Sequence, residues 1–239
     1  MKKALIVWGG WDGHEPELIA KRFEKILIER GFSVIISDSL TVYDDPKNLE
    51  GVDLLIPICT MIEMTNEQSK NVADAVGGGM GIAGCHGGMC DSARANVLWQ
   101  FITGGNWISH PGGNGIEYVV NVLNSSSPLT EGIKDFTVKS EHYYLHVDPA
   151  VEVLATTEFP NVKWYHSTNG KVSMPVVWTK KWGHGRVYYN SLGHVNNVFD
   201  IPEALELMVR GMLWAAEGYK TAKDNGLGIE EFKSELGMY

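Results

Sequence analysis

The feature that most constrains this chain is the alternation, over its first hundred residues, of short apolar runs with amphipathic helical stretches. Ala4 to Trp8 is a continuous apolar run, the pattern of a strand buried on both faces. Pro16 opens a helix where its missing N–H costs nothing; Ile19, Phe23, Ile26 and Leu27 form its apolar stripe, and Gly31 ends it. Ser33 to Ile36 and Val52 to Ile58 read as two more strands. Thr65 with Gln68 is a capping-box pair that starts a helix stopping at Gly77-Gly78-Gly79. Met80 to Cys85 is a fourth strand, followed by a helix from Ser92 to Phe101 with Val97, Leu98 and Phe101 facing inward. This β-α-β-α order predicts an α/β fold with a mostly parallel sheet and helices on both faces.

The pattern then changes. A Gly/Asn/Pro-rich stretch, Gly104 to Gly115, precedes the strand-like Ile116 to Leu123, and the later chain reads as β-rich. Val151 to Thr157, Val172 to Trp178 and Arg186 to Ser191 are expected strands, and Pro202 to Ala216 a closing helix with Gly218 after it. At 239 residues the chain is long for one domain and short for two. We expect an α/β domain over 1–218 and a polar, Gly-interrupted tail over 219–239, serving as a lid or as an arm in a homo-oligomer.

Charge narrows the partners. The net charge is −9 with no Lys/Arg cluster, which argues against nucleic acid and against an anionic membrane surface. No apolar run approaches the ~20 residues of a membrane span. The start, Met1-Lys2-Lys3-Ala4, leads into a first strand rather than a signal peptide. Three cysteines, Cys59, Cys85 and Cys90, form no disulfide framework and suit a reducing, cytoplasmic setting.

In an open α/β sheet, ligands bind beyond the carboxyl ends of the strands. Those ends here carry Gly9-Gly10-Trp11-Asp12-Gly13-His14, Pro57 to Met64, Gly84-Cys85-His86-Gly87-Gly88 and Ser191-Leu192-Gly193-His194. Gly81 to Gly88 has the strand–turn–helix form of a nucleophile elbow. A helix N-terminus there would lower the thiol pKa of Cys85 and leave it partly exposed, with Cys59 inert in its strand. Set against this, the glycines of a crossover can simply permit close packing. The first loop lacks the Gly-x-Gly-x-x-Gly order and a Lys-Ser/Thr, so it supports neither a dinucleotide site nor a P-loop. His142 and His146 are four apart, but without a His-Glu-x-x-His order the metal signal is weak. Tyr143 and Tyr144 suit a half-buried surface, and most tryptophans suit the core. Trp11 lies in a glycine loop where nothing needs burying, so its ring suits stacking on a sugar's C–H face.

Three segments together resemble one family. The elbow with His86, the run Ser140-Glu141-His142-Tyr143-Tyr144, and Gly183 to His194 (GHGRVYYNSLGH) look like the trehalose-utilisation (ThuA-like) family, as does the helix ending Leu213-Trp214-Ala215-Ala216. The resemblance implies a class I glutamine amidotransferase-like, flavodoxin-like three-layer sandwich, and a role in carbohydrate utilisation that includes keto-glycosides. By this likeness His86, Glu141 and His194 are the catalytic candidates, with Cys85 beside them. Trp11, Asp12, His14 and Tyr144 are the expected substrate contacts. The family's amidotransferase relatives use a Cys-His-Glu set; here Asn196 stands where the orienting glutamate would be, which disfavours glutaminase chemistry.

Three functions follow as expectations. The first is an enzyme acting on a small sugar or keto-sugar, by His/Glu proton transfer or with one divalent metal such as zinc held by the same residues. The second is a Cys85-dependent amidotransferase-like hydrolase or aldehyde-handling enzyme. The third is a non-catalytic sugar-binding or interaction module that has kept the fold and lost the chemistry.

Overall fold

A computed structural model describes residues 1–123 and 127–233. The chain begins β1 (Lys3–Gly10), α1 (Pro16–Glu29), β2 (Ser33–Ser37), β3 (Leu54–Thr60), α2 (Asn66–Gly77) and β4 (Gly81–Cys85). These elements obey the apolar periods of the sequence. The seven residues of β3 are all buried, as a central parallel strand requires. The Thr65/Gln68 capping box is formed in both directions at the start of α2.

Next come α3 (His86–Cys90), α4 (Val97–Thr103), β5 (Gly105–Ser109), β6 (Ile116–Val122), β7 (Phe136–Ser140), β8 (Tyr144–Val147), β9 (Glu152–Phe159), β10 (Val172–Trp182), β11 (Gly185–Asn190) and α5 (Pro202–Asp224). Nine strands build one large sheet in the order β2-β1-β3-β4-β11-β10-β9-β6-β7, and β5 pairs with β8 in a small second sheet. The first five strands of that order are parallel; each pairing beyond β11 is antiparallel. The molecule is therefore mixed α/β around a large sheet that is parallel over its first five strands and antiparallel over the rest.

Two apolar layers cover its faces. On one, α1 and α5 pack through Ile19, Phe23, Leu207, Met208 and Met212. On the other, α2 and α4 pack with Tyr43, Val72, Val76 and Trp99. Helix α5 approaches its strands so closely that a Cβ on Gly211 would lie 2.3 Å from the Tyr188 ring.

Several expected boundaries shift. The helix expected from Ser92 begins only at Val97, because Asn96 turns its side chain to cap the Trp99 N–H. That start rotates the helix: Trp99 and Ile102 face inward, while Val97 and Phe101 are exposed. Strands β5, β7 and β8 were not expected; β5 lies inside the Gly/Asn/Pro-rich stretch, where turn residues hide a short pairing segment. Helix α5 does not stop at Gly218 but runs to Asp224, since Gly218 packs against Gly79 and Arg186 instead of turning the chain. The end of the expected tail, 234–239, lies outside the described residues.

Candidate functional site

Parallel register decides what meets what. Gly10 of β1 is level with Thr60 of β3, and Asn190 of β11 is level with Cys85 of β4. The carboxyl ends of four neighbouring strands thus form one edge, and the loops leaving it carry His14, His86 and His194. Their rings pack edge to face, with centroids 4.9 Å apart for His14–His86, 5.0 Å for His14–His194 and 5.3 Å for His86–His194. Glu141 arrives from the other half of the molecule, just after β7, and its Oε2 sits at the centre of the three. It is 3.2 Å from His86 Nε2, 3.3 Å from His194 Nδ1 and 3.8 Å from His14 Nε2. All four residues are buried.

The elbow is real, but its occupant differs from the expected one. His86, at φ +44°, takes the left-handed turn position between β4 and α3, where an elbow displays its reactive side chain. Cys85 is still part of the strand and points into the core. Expected partly exposed with a lowered pKa, it is instead 1% exposed, and burial pushes its thiol up to about 12. The thiolate that nucleophilic attack needs is thereby disfavoured. Cys59 is buried too, and its thiol is likewise pushed up to about 12.

Second contacts orient the rings. His86 Nδ1 donates to the Ser191 carbonyl at 2.8 Å, and its ring lies flat against Tyr143, centroids 3.8 Å apart. Because a carbonyl can only accept, this bond fixes the tautomer and leaves Nε2 facing Glu141. Tyr189 braces the turn by donating to the His86 carbonyl. His14 Nδ1 hydrogen-bonds Thr60 Oγ1, which turns Nε2 toward the same carboxylate. Gly87 makes this approach possible, since a Cβ there would lie 2.7 Å from Thr60 Oγ1 and 2.8 Å from the His14 ring. Glu141 is positioned through its neighbours: Tyr118 donates to its carbonyl, and His142 beside it is clamped between the rings of Tyr118 and Phe159. His142 accepts from Asn161 and bonds Thr157, so both its nitrogens are satisfied away from the site.

Electrostatics follow from this packing. Burial lowers the His86 pKa to about 4 against the opposing pull of Glu141, and lowers His142 to about 3. Burial would raise the Glu141 carboxyl, but the three imidazoles converging on it, His14, His194 and His86, outweigh it and hold the group well below the usual carboxylate range. The neutral form of His86 therefore presents a lone pair to an ionised carboxylate 3.2 Å away. His194 Nδ1 is buried there with no hydrogen-bond partner. A proton or a metal cation shared between these facing groups relieves their repulsion. The four ligand atoms lie within 4.8 Å of one another, and ligands ~2.0–2.2 Å from one ion are spaced at a little over 3 Å in a tetrahedral shell. The residues present fit a divalent metal of the zinc type, which His14, His86, Glu141 and His194 would hold.

The remaining sequence candidates separate. Trp11 meets the His14 ring edge-on at 4.8 Å and is half exposed at the rim. Asp12 is exposed in the same loop. Tyr144 does not face the cluster; it packs on Phe159 and His166 on the far side of the small sheet. His14, expected as a substrate contact, lies within the cluster itself. His110, Thr60 and Ser191 were missed. His110 places Nε2 3.9 Å from Glu141 Oε1 at the mouth of the site. A histidine between Ser109 and Pro111-Gly112-Gly113, where a loop needs only turn residues, was the available signal.

Among the described residues no helix is long and apolar enough to cross a membrane. Solved structures share the fold. A protein described as ThuA-like from Bacteroides uniformis superposes with a TM-score of 0.68 at 19% identity, covering 90% of this chain and 91% of its own. One from Parabacteroides merdae gives 0.69 at 18% identity, covering 91% and 90%. A cytoplasmic protein of Salmonella typhimurium gives 0.58 at 12%, covering 91% and 98%. No curated protein sequence matches the chain. The profile of the ThuA family, described as trehalose utilisation, matches residues 3–215, nearly the whole chain, and the protein therefore belongs to the ThuA family.

Proposed function

We propose that this protein is an enzyme of carbohydrate utilisation that acts on a small sugar or keto-glycoside at the His14–His86–Glu141–His194 centre, with a divalent cation held there. The observation that carries the reading is the convergence of His86 Nε2, His194 Nδ1 and His14 Nε2 on the Glu141 carboxylate in a buried cluster, with His194 Nδ1 left without a hydrogen-bond partner. The family's association with trehalose utilisation supports a sugar as the substrate. The order β2-β1-β3-β4-β11 is that of a flavodoxin-like doubly wound sheet, which supports the amidotransferase-like reading of the fold and a ligand at this edge.

When bound, such a cation would polarise a carbonyl or hydroxyl oxygen of the sugar. The chain's own groups do the rest. Thr60 and the Ser191 carbonyl lock two imidazoles in one orientation, so that little reorganisation accompanies the reaction. Glu141 Oε1, on the side away from His86, faces His110, and these two form the open side of the site where a proton can move to or from the substrate. Trp11 offers a ring to the sugar's apolar face. Without a cation, the same His/Glu set would act as an acid–base unit. The replacement of an elbow cysteine by His86 argues against the Cys85-dependent hydrolase.

Elemental analysis of the protein as purified, with zinc, manganese and nickel titrations of chelator-treated protein, tests the proposal. We expect one divalent ion per chain, lost in His86→Ala and Glu141→Gln proteins that remain folded. Full sugar turnover by metal-free protein would leave the acid–base form, and the absence of both metal and turnover would leave a sugar-binding module.

A further inference from the structure

His86 and His14 each have one ring nitrogen fixed by a neighbour outside the cluster, the Ser191 carbonyl and the Thr60 hydroxyl. Among the described residues the His194 ring has no such support, and its Nδ1 is buried without a hydrogen-bond partner. An imidazole that serves as a ligand needs its orientation fixed from somewhere. Here the restraint comes through the backbone. His194 lies between Gly193, at φ +99°, and a short 3₁₀ turn, Asn196–Asp200. Helix α1 holds that turn. Arg22 donates from Nε to Asn196 Oδ1 at 2.7 Å, from Nη1 to the Phe199 carbonyl at 2.9 Å and from Nη2 to Asp200 Oδ1 at 2.7 Å. Phe23 beside it meets the Phe199 ring edge to face, centroids 5.2 Å apart.

The same helix begins at another of the histidines. Glu15 separates His14 from Pro16, the first residue of α1, and is held at φ +48°. A residue with a side chain keeps that left-handed conformation only where its surroundings enforce it. Glu15 Oε2 accepts the backbone N–H of Asn196 at 2.9 Å, so one carboxylate ties the His14 loop to the His194 loop. Asn196, which stands in the sequence where an orienting glutamate would be, turns its side chain to Arg22. We propose that Glu15, Asn196 and Arg22 are positioning residues, which through α1 hold His14 and His194 at the separation a shared cation requires. The inference rests on the cation-holding reading of the centre and extends it to residues outside the cluster.

The test titrates chelator-treated full chain with zinc, well below the melting temperature of each variant. Arg22→Ala and Glu15→Ala should each weaken zinc binding by about 10–100-fold, the usual cost of losing a ligand's supporting contacts. Glu15→Gln keeps an acceptor of the same reach and should retain most of the affinity. Arg210 is the structural control, because it makes a comparable strap from α5 to the carbonyls of Pro128 and Glu131. Arg210→Ala should lower the melting temperature and leave zinc affinity unchanged. The inference is overturned if either alanine variant in the strap binds zinc as tightly as the wild type, or if Arg210→Ala weakens zinc binding equally. It is also overturned if Glu15→Gln is as weak as Glu15→Ala, since the charge of Glu15 and not its bond would then be acting. A wild-type chain that binds no zinc would sink the proposed centre, and histidine ring signals in NMR spectra would still decide the strap. Glu15→Ala should shift or broaden the signals of His14 and His194 while leaving that of His142, and unchanged signals would overturn the inference.

Discussion

The parallel and antiparallel halves of the sheet contribute to the site in different ways. In the parallel half, β1, β4 and β11 each end in a loop that projects one histidine, and register alone brings the three together. The antiparallel half contributes no such row. It sends back one carboxylate, Glu141, from a connection between β7 and β8, and surrounds it with Tyr118, His142, Phe159 and Asn161. The contrast teaches that the histidines are placed by backbone geometry, whereas Glu141 is placed by side-chain packing. The first should resist substitution of its surroundings except where backbone space is taken away; the second should be sensitive to its aromatic clamp.

The largest effect is expected where the halves meet. Glu141→Gln and His194→Asn should each lower sugar turnover by about 10²–10⁴-fold, the usual worth of a positioned acid–base group. The double variant should be little worse than either alone, because members of one unit are strongly non-additive. Additive losses would mean that the two halves act separately. Steady-state rates alongside thermal melts make the comparison.

A smaller effect tests the parallel half by itself. Gly87→Ala inserts a methyl group where Thr60 and His14 already touch, at 2.7 and 2.8 Å. We expect a cost of ~1–3 kcal/mol in stability from overpacking and a loss of about 10–100-fold in metal affinity, as for disturbance of a ligand's supporting contacts. Unchanged affinity would show that His14 is not held from beneath by this contact.

A third test addresses the clamp in the antiparallel half through its pH dependence. His142 has its pKa lowered to about 3 from an ordinary 6.5, so the folded state keeps it neutral where the unfolded chain would protonate it. Its contribution to stability is fully present above about pH 6.5 and is lost as pH falls toward about 3, since the unfolded state then binds the extra proton. His142→Gln should flatten the acid limb of the melting temperature against pH. His86, lowered to about 4, acts in the same direction. An acid limb identical in wild type and variant would mean that the clamp is not titrating.

How much of this was legible depends on how local its cause is. The strands β1 to β4, the helices between them and the capping box of α2 could be read because each is set by periodicity and turn residues within a few positions. The same holds for His14, His86 and His194: a residue just past a buried strand in a parallel sheet has only one edge to occupy. The positive φ of His86 was not legible from glycine count alone, and Cys85 was given the wrong exposure because one position separates the strand's inward face from the turn.

Tertiary structure decided the rest. Nothing within a few residues of Glu141 says that β7 pairs with β6 at the far end of the sheet and that the chain then crosses back over the histidine edge. The sequence by itself determined the fold class, the edge on which the site lies and the residue types available there. Packing decided which carboxylate enters the cluster, that Tyr144 faces away from it and that His110 comes within 3.9 Å of Glu141. Local sequence sets φ, ψ and the burial of single elements, but the meeting of residues 55 positions apart, as His86 and Glu141 are, depends on long-range strand pairing and on the order of the sheet.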